Sequence, residues 1–376
     1  MKIINAKIFT MADGVIENGF VEFTNKIEAV GSMKNCQPKA GDLDAKGAML
    51  YPGFIDAHTH LGILEDSLGF EGDDCNETTN PCTPNLRAVD AVNNLDYCFE
   101  EAVAAGVTTV VTGPGSANPV AGTSLALKTK GDCLDSMIIK DPLAMKFALG
   151  ENPKRVYGQK KTTPNTRMAT AALIREQLYK AKDYYEKQMQ GEKIEKDLNL
   201  EALSLLFKED LPAHFHAHRV DDIFTAIRIA EEFNLNFAII HGTQGHKTAD
   251  ILAKTDAVVM SGPLFSDRSK PELKDATPAT PGILSKAGVT TAIITDHPII
   301  PIQYLALCAG LAVREGMDYN KALEAITCLP AKICGIFDRV GSIEVGKDAD
   351  LLLFDQDPLT LAAKPKKVFI DGLSAL

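Results

Sequence analysis

Only eight histidines occur in the 376 residues, and seven of them fall at or just after the C-terminal ends of predicted strands: His58, His60, His214, His216, His218, His241 and His297. Imidazoles gathered with a carboxylate are the donors that a borderline divalent cation such as zinc takes. The first group lies in Phe54-Ile55-Asp56-Ala57-His58-Thr59-His60. A strand sends alternate side chains to the same side, so His58 and His60 can chelate one ion. The stretch His214-Phe215-His216-Ala217-His218 repeats that spacing with three imidazoles. Ile239-Ile240-His241-Gly242 ends an apolar run in a histidine and a turn, and Ile293-Ile294-Thr295-Asp296-His297-Pro298 ends another in a carboxylate. A single H-x-H pair is as readily a hydrogen-bonded core pair. Four strand ends with nitrogen and oxygen donors point instead to a metal.

Residues so far apart in sequence meet only if their strands share one face. Between residues 51 and 339, apolar runs alternate with helical ones: GFIDAH, a helix near 86–105, VTTVVTG, AMKFALG, the long pattern TRMATAALIREQLYKAKDYYEKQMQ, AHFHAH, a helix near 221–233, NFAIIHG, AVVMSG and TTAIITD. This alternation predicts an α/β protein with a parallel sheet or barrel, whose strand C-termini converge. Residues 1–50 and 340–376 read differently, as short strands broken at Asp13-Gly14, Asn25-Lys26, Gly346-Lys347 and Asp357-Pro358. The two ends are expected to pair into one small β domain.

Composition narrows the class further. Hydrophobic residues make up 45% and charged ones 24%, as in a globular protein. A formal net charge of -11, with no Lys/Arg-rich run, would repel a phosphate backbone, so nucleic acid is not an expected partner. Lys2, Asn5 and Lys7 interrupt the apolar residues of the start, and no run approaches the ~20 apolar residues of a membrane span. A cytoplasmic protein with no membrane partner is expected. The cysteines form no C-x-x-C pair, and Cys75 and Cys82, which a disulfide could join, are expected as thiols in a reducing compartment. The loop Gly113-Pro114-Gly115-Ser116-Ala117 is neither a G-x-S-x-G elbow nor a P-loop, and reads as a tight turn on the active face.

In order, YPGFIDAHTH, a mid-chain HAH, IIHG, TDHP and the closing ALEAITCLPAKICGIFDRVGSIEVGKDADLLLFD resemble the amidohydrolase superfamily, particularly its imidazolonepropionase-related and prolidase-like members, over nearly the whole chain. The resemblance implies a metal-dependent hydrolase (β/α)8 TIM barrel over 51–339. It also implies a small β-sandwich domain from 1–50 and 340–376, marked by G-S-I-E-V-G-K-D-A-D-L. One or two divalent cations, zinc foremost, would be held by His58, His60, His216, His241 and Asp296. On the fourth strand the family uses a carboxylated lysine or a glutamate. Glu151, at that strand's C-terminal end, is preferred here as the bridging ligand over the deeper Lys146. The family's fifth-strand histidine selects His216 from its trio and leaves His218 to support it or face substrate.

The implied activity is hydrolysis of a C-N bond in an amide, cyclic amide, N-acyl amino acid or dipeptide. The cation acidifies a water and polarises the carbonyl, while Asp296 takes the water's proton and passes it to the departing nitrogen. The substrate is a small molecule, with His218, Arg219 and His297 as candidates to bind it and Arg155 and Arg167 as further partners for a carboxylate. His246 reads as a surface residue. Two alternatives stand beside this: a deaminase of a small ring, against which Arg219 replaces the glutamate of that branch, and a non-catalytic metal-binding member, against which the full ligand set argues. A homo-oligomer, a dimer first, is the expected assembly.

Overall fold

The computed structural model describes residues 1–376. Eight strands form a nearly closed barrel: β1 Phe54–Thr59, β2 Val107–Thr112, β3 Val120–Lys128, β4 Ile138–Ala148, β5 Ala213–Ala217, β6 Phe237–His241, β7 Val258–Ser261 and β8 Thr291–Ile293, hydrogen-bonded in that order. Alternate residues fill the interior, where Ile55, Val111, Ala126, Ala144, Ile240 and Met260 pack together. Outward-facing Phe147 and Phe215 stack at 4.9 Å and meet Ile174 and Ile227 of the surrounding helices.

The regular (β/α)8 expectation is corrected at the third strand. β3 runs antiparallel to both β2 and β4, while the other neighbours are parallel. A parallel return needs a crossover of about a dozen residues or more. Gly113–Pro119, the connection from β2 to β3, is too short for one, so the chain turns straight back. Every residue of β3 is buried, which is why VAGTSLALK shows no polar alternation. The helix expected near 86–105 is likewise shorter. It is a 3-10 turn at Ala88–Asp90 and a helix at Cys98–Ala104, separated where the Asn93 N–H donates to Gly62 O at 2.8 Å.

The first and last strands are joined without a ladder. The segment Ala325–Ile326 fills the seam: the Ile293 N–H donates to Ala325 O at 2.9 Å, and the Ile55 N–H donates to Ile326 O at 2.8 Å. The long helix Arg167–Met189 starts where the Thr166 hydroxyl accepts the Ala169 N–H. It buries Ile174, Leu178 and Ala181 on one stripe. No helix is long and apolar enough to cross a membrane.

Strands from both ends of the chain share a second sheet, in which Met49–Pro52 pairs antiparallel with Leu351–Phe354. A buried ion cluster ties this sheet to the barrel. Lys128, at the end of β3 and 1% exposed, reaches Asp350 at 2.6 Å, Asp348 at 3.0 Å and Asp371 at 3.2 Å. The two aspartates of the G-K-D-A-D-L motif therefore neutralise a lysine that would otherwise be stranded in a dry interface.

Candidate metal centre

The C-terminal ends of the parallel strands bring two donor clusters together. His58 and His60 of the β1 end meet Asp296 beyond β8, with Nε2 to Oδ1 distances of 3.4 Å and 3.7 Å. His216 and His218 of the β5 end meet His241 of β6, with ring centroids 4.3 to 4.7 Å apart. The clusters adjoin, since the rings of His58 and His241 are 5.8 Å apart. His241 and Asp296 both stand at positive φ, +76° and +57°, which non-glycine residues adopt at some cost and which here turns their side chains into the site.

Hydrogen bonds on the far side of each ring decide which nitrogen faces inward. His60 Nδ1 donates to Gly113 O at 2.7 Å, and His241 Nδ1 donates to Gly262 O at 2.7 Å. A carbonyl can only accept, so in both neutral rings Nε2 is a bare lone pair directed at the cluster. His218 Nδ1 lies 2.7 Å from Thr243 Oγ1, and His216 Nδ1 lies 2.8 Å from Ser116 Oγ. His58 Nε2 is buried with no hydrogen-bond partner. Lone pairs converging without a proton between them are what a cation site requires, so these residues fit a divalent metal.

Burial sets the electrostatics. It drives His60 and His218 down to about 3, with the Lys146 ammonium adding to the effect on His60 and the Lys270 and Lys146 ammoniums on His218, and holds His58, His216 and His241 well below the usual imidazole range. The rings are therefore neutral, the form that binds metals. Burial also pushes Asp296 up to about 7 against the pull of Lys146 and Lys270, and pushes Lys146 down to about 8 against the pull of Asp296. Lys146, on β4 and 3% exposed, acts on histidines of both clusters, and its Nζ has one hydrogen bond, 3.3 Å to Pro114 O.

Among the residues named from sequence, His58, His60, His216, His241 and Asp296 are brought together, and His218 joins them as a donor. Glu151 is not among them. It begins the helix Glu151–Gln159, and its backbone, rather than its carboxylate, is engaged. Arg219 is exposed and paired with Asp221 at 2.9 Å. The His297 ring accepts the Ile302 N–H, and neither Arg219 nor His297 lines the cavity. His214 faces a separate cavity at the other end of the barrel, and Arg167 is bound to Asp222. His246 is half-buried and bonded to Thr243 and Thr280. The sequence reading passed over Asp56, whose carboxylate accepts from Thr295 and His58, and Glu272, whose Oε1 is 3.7 Å from His218 Nε2. Asp56 carried a signal, its period-2 place beside His58, whereas Glu272 sits in a short 3-10 turn, Pro271–Leu273, without a motif. All eight cysteines are free, Cys75 and Cys82 included.

Above the clusters lies a cavity of about 690 Å³. Its walls include Asn76, Ser116, Asn152, Arg155, Ser269 and Lys270.

Sequence relationships agree with this geometry. The sequence model of the amidohydrolase family matches residues 49–374, and the chain belongs to that family. It is 29% identical over 392 residues to amidohydrolase tasK of Hapsidospora irregularis, an alignment that takes in 96% of this chain and 39% of that protein. The chain thus spans well under half the length of that relative. An imidazolonepropionase of Mesorhizobium japonicum is 24% identical over 385 residues, covering 93% of this chain and 91% of its own. An amidohydrolase from Thermotoga maritima superposes with a TM-score of 0.95 at 43% identity, covering 100% of this chain and 99% of its own. A prolidase complexed with N-methylphosphonate-L-proline superposes at 0.61 with 17% identity over 99% and 98% of the two chains, a likeness of fold alone.

Proposed function

We propose that this chain is a metal-dependent hydrolase of C-N bonds in small amides, cyclic amides or N-acyl amino acids, with two divalent cations, zinc foremost, held by the two clusters. The observation that carries the proposal is the pair of inward lone pairs on His60 and His241, fixed by carbonyl acceptors behind them and facing Asp296 and the His216/His218 pair. A cation bound there supplies Lewis acidity, polarising a carbonyl and acidifying a water. Asp296 is the proton carrier: its carboxylate lines the cavity beside the donor cluster, placed to take a proton from a water there and return it to a leaving nitrogen.

Lys146, rather than Glu151, is the proposed fourth-strand bridging ligand. Burial lowers its amine below the usual lysine range, which favours the neutral form. A neutral amine adds to carbon dioxide, forming an N–C bond and releasing a proton, and the resulting carbamate carries the negative charge that adjoining cations need. Lys270, bonded to the Asn152 side-chain oxygen at 3.2 Å, and Arg155 make no salt bridge at the cavity wall, so a substrate bearing a carboxylate is favoured. We further propose that residues 1–50 and 340–376 form the family's small sandwich, and the eight free thiols favour the cytoplasm as the compartment.

The test is elemental analysis of protein purified without chelators, coupled to turnover on a panel of N-acyl amino acids and lactams. Stoichiometric transition metal with metal-dependent hydrolysis is expected. Protein that contains none and takes none up would remove the basis of this reading.

A further inference from the structure

The loop after β7 carries a carboxylate that the family's ligand pattern does not use. Glu272 is 2% exposed, and its Oε1 is buried without any hydrogen-bond partner. That oxygen is 3.7 Å from His218 Nε2 and 4.0 Å from His216 Nε2. Its other oxygen accepts the Glu151 N–H at 3.0 Å, which fixes the carboxylate from behind just as carbonyls fix His60 and His241. The approach has been given room. Gly150 stands at a φ of +86°, and a Cβ there would sit 2.9 Å from Glu272 Oε2.

A buried acceptor aimed at imidazole nitrogens at these distances is too far for a hydrogen bond and too costly to leave bare. Donor atoms around a tetrahedral zinc, at about 2.1 Å from the metal, lie about 3.4 Å from one another. The separations of Glu272 from His218 and His216 need to close by only a few tenths of an ångström to match.

We infer that Glu272 is a metal ligand, completing with His216, His218 and His241 a four-donor cation position. This rests on the metal-dependent reading above and deepens it by adding a protein carboxylate to the cation position that His216, His218 and His241 surround. The Glu272 cation braces the β5 and β6 ends and the loop that also carries Lys270.

The experiment is titration of the chelator-stripped full-length protein with zinc(II), comparing wild type with Glu272→Gln and Lys146→Ala. Wild type is expected to bind two ions. Removing a residue that merely supports a ligand weakens a site by about 10- to 100-fold. Loss of a ligand should exceed that, so Glu272→Gln should weaken one ion by more than about 100-fold and leave the other in place. Lys146→Ala should retain the ion that Glu272→Gln loses, and the double variant should hold neither. A thermal melt of the stripped proteins separates folding from binding. Stripped Glu272→Gln should melt no lower than stripped wild type, because it removes an unpartnered buried charge, while its stabilisation by zinc should shrink. Two tightly bound ions in Glu272→Gln, a weakening below 100-fold, or a lower melt without metal would each overturn the inference. Wild type that binds no zinc would instead defeat the hydrolase reading itself.

Discussion

Thr295 gives both its backbone N–H, at 3.0 Å, and its hydroxyl, at 2.6 Å, to one carboxylate oxygen of Asp56, across the seam between the first and last strands. The other oxygen takes the His58 N–H at 3.2 Å. One buried group therefore locates a ligand histidine and the residue preceding Asp296. Asp56→Asn places an amide donor against donors. It should cost about 1–3 kcal/mol in urea unfolding and reduce turnover by misplacing Asp296. An unchanged unfolding midpoint would show that the carboxylate is dispensable to the seam.

Asp296→Asn should keep metal bound through His58 and His60 while turnover falls by about 10²- to 10⁴-fold, the usual contribution of a proton-transfer group. Metal content and kcat measured on the same preparation decide it. Full activity in the metal-loaded variant would assign the proton to another residue.

Lys146 and Glu151 separate cleanly. Lys146→Ala should lower the metal content per chain, with partial recovery when a short carboxylic acid is added to replace the carbamate. Glu151→Ala should leave the content unchanged, because only its N–H is used. The opposite pattern in elemental analysis would return the bridging role to Glu151.

Lys270→Met and Arg155→Met should raise KM for N-acyl amino acids by about 10-fold or more, in line with the loss of a charged hydrogen bond, while neutral lactams are less affected. Equal effects on charged and neutral substrates would mean that neither cation reads a carboxylate.

Lys128→Met leaves Asp350 buried without its cation, while Asp348 keeps Lys26 and Arg339. A destabilisation of about 3–5 kcal/mol is expected for one partner removed from a buried ion cluster. Chemical denaturation measures it, and an unaffected stability would show that water reaches the aspartates.

Much of the site was legible because period-2 strands make their own prediction. His58 with His60, and His216 with His218, are spaced to face one way, and each ends an apolar run that had to be a buried strand. What sequence spacing could not reveal was depth. Lys146 lies inside the strand and is buried, while Glu151 lies past the strand's end and opens the following helix. Nor did β3 announce its direction, since a fully buried strand of small residues carries no polarity pattern and only the length of the preceding turn constrains it. Glu272 was invisible for another reason. It lies in the short 3-10 turn Pro271–Leu273, which has no strand or helix periodicity to read.

The strap at Ala325–Ile326 has a consequence for how the protein is made. Ile55 and Ile293 both take their hydrogen-bond acceptor from it, although Ile55 leaves the ribosome some 270 residues earlier, on the order of tens of seconds at typical synthesis rates. The histidines of β1 must wait through that interval before Asp296 is seated opposite them. Assembly of the cluster of His58, His60 and Asp296 is thereby deferred to the finished chain, and a shorter nascent fragment carries only two of its three donors.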